Sequence, residues 1–209
     1  MMHSPPELCF LLCLETCVSA QLTERLERLD TLLNGRVDYE VVLVGYGDPE
    51  ALASSFREMA HATPRCRPLL HTRKSSATEA FVAGVGFAKA KWIVQLVEHG
   101  NDRTEGEVGR TLWALATRPS VALDCVFIGP RDPVLFARGA FLALPVMPRI
   151  HKFLPEVLEY AGGPCWEATL TGQLGPPWSS GQRRMRRFAV AIWRTLRGTL
   201  DRDPRRGVS

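Results

Sequence analysis

The sequence lacks the short motifs that mark the commonest nucleotide-binding folds. No Gly-x-Gly-x-x-Gly follows its first apolar run and no P-loop is present, which excludes the usual dinucleotide and P-loop phosphate sites. Its six cysteines form no Cys-x-x-Cys pair, so the ligand spacing of a zinc or cluster site is missing as well. We expect buried free thiols in a reducing cytoplasm.

Long hydrophobic runs and a charged leader are also missing. The apolar run 8–14 is too short to span a bilayer. Residues 1–7 contain no Lys or Arg, which argues against a signal peptide. We therefore expect a cytoplasmic protein. A chain of 209 residues predicts one domain of about 150 to 170 residues and a tail.

The charge of the chain is unevenly distributed. Its formal charge is +4, yet residues 179–209 contain nine Arg and two Asp and carry +7, which leaves −3 for the rest. The basic tail predicts an acidic partner, such as a membrane surface, a nucleic acid or an acidic protein.

Apolar runs alternate with stretches of helical periodicity. Asp48 is a candidate N-cap, with Pro49 at the first helical position. The alternation predicts a three-layer α/β domain, a mostly parallel sheet with flanking helices, whose ligands bind at the carboxyl ends of the strands. Strands are predicted at 8–14, 39–44, 66–71, 92–97 and 121–128, and helices at 20–33, 49–60, 77–90 and 104–116.

Three segments resemble a known family. Residues 140–155 are similar to a small-apolar helix followed by a His-Arg-Phe-Leu-Pro-like helix, and residues 73–90 to a helix beside a nucleotide diphosphate. With the strand at 38–44, they resemble the family 2 glycosyltransferases, which include polyprenyl-phosphate and dolichol-phosphate sugar transferases. The resemblance covers roughly 8–170 and implies a GT-A-like fold that uses a nucleotide sugar.

The same resemblance implies carboxylates that are missing here. In the family, an Asp pair after the second strand holds the nucleotide, and an Asp-x-Asp after the central strand binds Mg²⁺ or Mn²⁺. Gly45 and Tyr46 stand at the first place, and residues 97–99 read Val-Glu-His at the second. Asp124 and Asp132 flank the place of the catalytic carboxylate, which accepts the acceptor's proton.

A metal site is one of two interpretations of the loop after the central strand. Glu98, His99 and Asp102 form either a mixed site, better suited to Mn²⁺ or Zn²⁺ than to Mg²⁺, or a polar loop. No cofactor is certain, and Mn²⁺ or Mg²⁺ is expected only in an active enzyme.

The candidate nucleotide-binding residues are Asp48, Arg73 and Glu79. Asp48 is either the cap of a helix or a displaced nucleotide ligand, and Arg73 either contacts a phosphate or is solvated. Glu79 lies in the segment that resembles the diphosphate helix. His71 and His151 are expected to be packed or surface histidines.

The C-terminal region predicts a basic amphipathic helix. Residues 1–171 form the predicted domain, 172–181 a linker, and 182–209 the helix and tail. The helix would contact the inner face of an anionic membrane, or a protein surface. Nucleic acid is not expected, because no reading motif accompanies the basic face. The apolar face comprises Met185, Phe188, Ile192 and Leu196, with Trp193 at its boundary.

Two functions follow from the sequence. The first is a degenerate transferase, a pseudoenzyme that serves as a binding or assembly subunit. The second is a divergent active transferase that moves a sugar from a nucleotide sugar to a lipid-phosphate or other acceptor. Joint replacement of Gly45, Val97 and His99 by Asp would test descent from an active enzyme through a gain of nucleotide binding.

Overall fold

The structure, a computed structural model, describes residues 5–16, 20–33, 35–96, 114, 124–127, 134–168 and 174–177. These residues form one sheet with helices on both faces. The strands are β1 (Leu8–Leu14), β2 (Tyr39–Gly45), β3 (Cys66–Leu70), β4 (Trp92–Gln95), β5 (Cys125–Phe127), β6 (Val134–Ala137), β7 (Cys165–Ala168) and β8 (Leu174–Pro177). The helices are α1 (Ala20–Leu33), α2 (Pro49–Ala62), α3 (Ala77–Phe87), α4 (Arg138–Leu142) and α5 (Leu154–Tyr160), with a 3₁₀ turn at Ile150–Lys152.

The sheet is mixed but mostly parallel, which confirms the predicted α/β class. Its strand order is β3-β2-β1-β4-β6-β5-β7-β8. Strands β1 to β4 run parallel, β5 and β7 share their direction, and only β6 and β8 among the described strands oppose it. The chain order reverses between β1 and β4, where open α/β sheets form their ligand crevice.

Side-chain alternation along β1 sorts the core into two layers. Leu8, Phe10 and Leu12 pack with α1 and α2 on one face. Cys9 and Leu11 pack with α3 and the later helices on the other. Because both faces are covered, the strand is an unbroken apolar run, as expected of a central parallel strand.

The helices begin where the sequence provides caps. Asp48 accepts the backbone N–H of Glu50 at 3.0 Å, so its predicted capping role at α2 is confirmed. Helix α3 begins with a capping box in which Ser76 and Glu79 bond to each other's backbone N–H. The structure also fixes where α3 ends, which is Phe87 and not residue 90 as predicted.

A buried carboxylate explains that early end. Glu40 on β2 accepts the backbone N–H groups of Lys89 (2.5 Å) and Ala90 (2.9 Å), which therefore cannot continue the helix. Its other oxygen pairs with Arg67 of β3, whose guanidinium lies 4.1 Å from the centroid of the Phe87 ring. One side chain thus ties β2, β3, the end of α3 and the approach to β4 together.

The C-terminal predictions lie largely outside the described residues. Four residues of the predicted linker form β8 and pair with β7. The predicted helix 104–116 lies outside except for Ala114, and so does the whole basic tail 182–209. Within the described ranges no helix is both long and apolar enough to cross a membrane.

Replacing Glu40 by alanine should destabilise the fold. Arg67 and two backbone N–H groups would lose their acceptor, and we expect the free energy of unfolding to fall by about 2–4 kcal/mol. Urea denaturation followed by circular dichroism measures this. Glu58→Ala, at an exposed carboxylate of α2, is the matched control and should change it by less than about 0.5 kcal/mol. Equal losses for the two variants would contradict the role of Glu40.

Two glycines of α3 provide a second matched pair. A Cβ at Gly84 would lie 2.5 Å from Cδ1 of the buried Leu11 and 2.8 Å from Cγ2 of Val44, whereas a Cβ at Gly86 meets nothing within 4 Å. We expect Gly84→Ala to lower the free energy of unfolding by about 1–3 kcal/mol. Gly86→Ala should raise it by up to about 1 kcal/mol through helix propensity. The same denaturation measurement distinguishes them, and a harmless Gly84→Ala would refute close packing of α3 on the sheet.

Candidate functional site

The carboxyl ends of β1 to β4 share one edge of the sheet, which we call the carboxyl edge. Backbone hydrogen bonds join the loops there: Tyr46 N–H donates to the carbonyl of Leu14 at 3.0 Å, and Ser75 N–H donates to the carbonyl of Tyr46 at 3.0 Å. His71 N–H donates to the carbonyl of Gly45 at 3.1 Å. The three loops that follow β1, β2 and β3 are therefore held against one another.

Gly47 lets the first two loops meet. A Cβ at this position would lie 1.8 Å from the backbone oxygen of Glu15, a clash that no side-chain rotation relieves. The backbone after β2 therefore seats directly on the backbone after β1, and only glycine permits that contact.

Gly45 occupies a closed apolar position. A Cβ there would lie 2.7 Å from Cδ1 of Leu70 and 2.9 Å from Cζ of Phe56. A carboxylate at residue 45 would have to enter this packing without a polar partner, which is unfavourable. The replacement Gly45→Asp is therefore a poor restoration of a nucleotide ligand.

Three of the carboxylates along this edge have local partners. Asp48 caps α2. Glu79 accepts the backbone N–H of Ser76 at 2.7 Å, and this bond is the main reason that its pKa is lowered. Glu15 lies 3.9 Å from Nζ of Lys74. Local contacts therefore account for the position of each carboxylate.

Two histidines contribute polar contacts that their positions in the sequence did not indicate. Nδ1 of His71 lies 2.6 Å from Oγ of Ser75, and both side chains are half-buried. Nδ1 of His151 lies 3.3 Å from Oγ1 of Thr78 in the first turn of α3. Both imidazoles border the carboxyl edge, the second through the 3₁₀ turn.

The Thr78 hydroxyl contacts both His151 and Arg149. It accepts the N–H of Arg149 at 3.0 Å, and its oxygen lies 3.3 Å from Nδ1 of His151. Burial lowers the pKa of His151, and the charges of Lys152 and Arg149 lower it further.

The 3₁₀ turn is held to the end of β4 as well. Nε2 of Gln95 donates to the carbonyl of His151 at 3.1 Å, and its Oε1 has no hydrogen-bond partner among the described residues. Arg149 is held at φ 60°, a left-handed conformation that is uncommon for a residue with a side chain. The turn is therefore fixed from two sides, by α3 and by β4.

The exposed charges beside the first turn of α3 are mainly basic. Arg73 and Lys74 lie before the helix, and Arg149 and Lys152 lie in the segment that contacts it through Thr78. Cations and backbone donors arranged in this way favour an anionic ligand such as a phosphate group.

The structure brings only part of the predicted site together. Asp48, Arg73 and Glu79 lie at the carboxyl edge. Asp124 does not, because it lies at the amino end of β5, where its N–H donates to the carbonyl of Pro164. The strand registers place it level with Trp92, where β4 begins. Asp132 falls outside the described residues, between β5 and β6.

The remaining predicted residues also lie outside the described part of the chain. Within that part, no group of three or more His, Cys, Asp or Glu side chains is placed to hold a metal ion. The metal site predicted after β4 therefore stays a prediction, as does the apolar face of the tail. The residues concerned are Glu98, His99, Asp102, Met185, Phe188, Ile192, Trp193 and Leu196.

Comparison with known proteins identifies the fold but not the family. No protein family matches the sequence, and no curated protein matches it. The fold is similar to that of the mannosyltransferase PcManGT from Pyrobaculum calidifontis, solved in complex with GDP-Man and Mn²⁺, with a TM-score of 0.50 and 16% identity. The match covers 69% of this chain and 48% of that one, so the chain spans about half of that transferase. The fold is therefore an α/β fold of the glycosyltransferase kind.

Replacing His151 should change how stability depends on pH. The folded protein keeps the pKa of His151 below its ordinary value, so the unfolded chain binds more protons near that value and stability falls as pH drops through it. His151→Asn keeps an acceptor for Thr78 but does not titrate. We expect the free energy of unfolding to fall less for this variant between about pH 7.5 and about pH 5. Denaturation curves at both pH values decide this, and identical pH dependence would contradict it.

Proposed function

We propose that this chain is a degenerate glycosyltransferase-fold protein that acts by binding or assembly and does not carry out metal-dependent sugar transfer. Its ligand would be a nucleotide sugar or a similar anionic compound, bound at the carboxyl edge without a metal ion. The packing around Gly45 is the observation that carries the proposal.

Apolar packing occupies the place at which a nucleotide-binding carboxylate is expected. In the family that the sequence resembles, a nucleotide-binding carboxylate follows the second strand at this point. Here Leu70 and Phe56 close around Gly45, and the next carboxylate along the chain, Asp48, is used to cap α2. A single reverse substitution would therefore not recover the ligand, which argues for a site that has moved away from transfer chemistry.

Basic groups support binding of an anion at the same edge. A diphosphate needs positive charge around it, which a metal ion supplies in the usual transferase chemistry. Arg73 and Lys74 before α3, and Arg149 and Lys152 in the segment bonded to its first turn, can supply that charge from the chain itself. This favours affinity for the ligand without favouring the departure of its leaving group.

A divergent active transferase is the second candidate. It is favoured by the structural neighbour, which binds GDP-Man and Mn²⁺, and by the sequence, in which Glu98, His99 and Asp102 follow β4, the strand at the switch point. In that case these residues would hold the metal ion, which would neutralise the leaving diphosphate.

Calorimetric titration with GDP-mannose and a panel of other nucleotide sugars tests the proposal. We expect binding of at least one of them to be the same with Mn²⁺ and with EDTA, and no release of nucleoside diphosphate. Arg73→Ala should weaken that binding by about tenfold, the loss expected for one charge-assisted hydrogen bond. Arg36→Ala, at an exposed arginine between α1 and β2, is the matched control and should bind normally.

Two results would contradict the proposal in different ways. Turnover that requires Mn²⁺ and is lost in His99→Ala or Asp102→Ala would establish the active transferase. Absence of binding to every nucleotide sugar in the panel would contradict the proposed ligand and its site at the carboxyl edge.

A further inference from the structure

Seven consecutive apolar residues, 142–148, run from the last residue of α4 towards the 3₁₀ turn. None of the seven is fully buried, and only Leu144 and Met147 are half-buried, where they pack against the core. The side chain of Leu142 is 49% exposed and that of Val146 is 71% exposed. A run of this composition is unusual on the surface of a soluble domain and points to a contact surface.

The exposed apolar residues are concentrated here. Five large hydrophobic residues are exposed among the described ones, and three of them are Leu142, Val146 and Phe153, which is 39% exposed. Of the other two, Phe87 lies under the guanidinium of Arg67. Tyr160 stands apart at the end of α5. We call residues 142–148 together with Phe153 the apolar surface.

The apolar surface is held in place by its own ends. Phe141 before it and Ile150 after it are both buried, and the N–H of Ile150 donates to the carbonyl of Met147 at 3.2 Å. Arg149 is bonded to Thr78 of α3. Because its conformation is fixed in advance, the segment can present apolar side chains to a partner at a low cost in ordering.

The charges around the apolar surface favour an anionic partner. Residues 133–155 contain no Asp or Glu, and Arg149 and Lys152 flank the segment with exposed side chains. The single carboxylate of α3, Glu79, is engaged by Ser76, and the first carboxylate after the segment is Glu156 of α5. The basic tail, at +7, would meet like charges here and is a poor occupant.

We propose that the apolar surface inserts into an anionic lipid surface, with Arg149 and Lys152 facing the headgroups. Exposed aliphatic and aromatic side chains beside basic residues are the composition that interfacial binding requires. A lipid surface also suits a short segment with few exposed apolar side chains better than a second protein would, because lipids need no matching pocket. The proposal requires neither the tail nor a nucleotide ligand.

Flotation of the full chain with vesicles tests it. Vesicles with equal parts of phosphatidylcholine and phosphatidylglycerol should carry the protein, and vesicles of phosphatidylcholine alone should carry much less. Val146→Asp removes an exposed apolar side chain and adds a like charge, so the partition coefficient should fall by about tenfold or more. Tyr160→Asp, at a side chain that is 72% exposed outside the apolar surface, is the matched control and should float normally. Circular dichroism shows that both variants are folded.

Hydrogen exchange supplies a local readout. Amides of 142–149 should become protected when the mixed vesicles are added. Unchanged flotation of Val146→Asp, or unchanged exchange in this segment, would overturn the proposal even if the tail binds membranes by itself. A dimer in solution that Val146→Asp dissociates would overturn it in favour of a second copy of the chain.

Discussion

The buried carboxylate of Glu40 is the constraint on which the rest of the site depends. It is the one acidic side chain buried among the described residues, and it joins Arg67 of β3 to the N–H groups of Lys89 and Ala90. Those two residues cannot continue α3, so the helix ends at Phe87, while the capping box at Ser76 starts it at the carboxyl edge. A buried charge is tolerated only with full partners, so this arrangement has little freedom to vary.

Close packing on both faces of the sheet reinforces that position and limits the chemistry beside it. Gly84 lets the helix approach β1 and β2, and Gly45 lets Leu70 and Phe56 close over the end of β2. Helix α3 packs on one face of the sheet, whereas on the other face Phe56 of α2, with Leu70, removes the space in which a side chain at residue 45 would reach a ligand. What remains along the edge is fixed by local bonds, at Asp48 and in the capping box of α3.

The sequence predicted well those features that depend only on residues close together in the chain. The unbroken apolar run of β1 and the cap at Asp48 need only neighbouring residues, and both follow from the sequence. Glu40 binds a partner 50 residues away and Thr78 one 73 residues away, so no local pattern announces either contact. Asp124 is a residue that the sequence misplaced. It was predicted to lie near the catalytic position, but it lies at the opposite edge of the sheet from the carboxyl edge. Strand register decided its position, and that depends on pairing with β6.

The first turn of α3 belongs to both of the surfaces that we propose as functional. Thr78 bonds to His151 beside the carboxyl edge and to Arg149, which ends the apolar segment in a left-handed conformation. A partner on the apolar surface would therefore act on the same turn that borders the basic edge. Since any effect of one ligand on another's affinity is reciprocal, an anion bound beside α3 would in turn change the affinity of the apolar surface for lipid. The Thr78 hydroxyl thus contacts residues of both surfaces, and Gln95 of β4 holds the same turn from the other side.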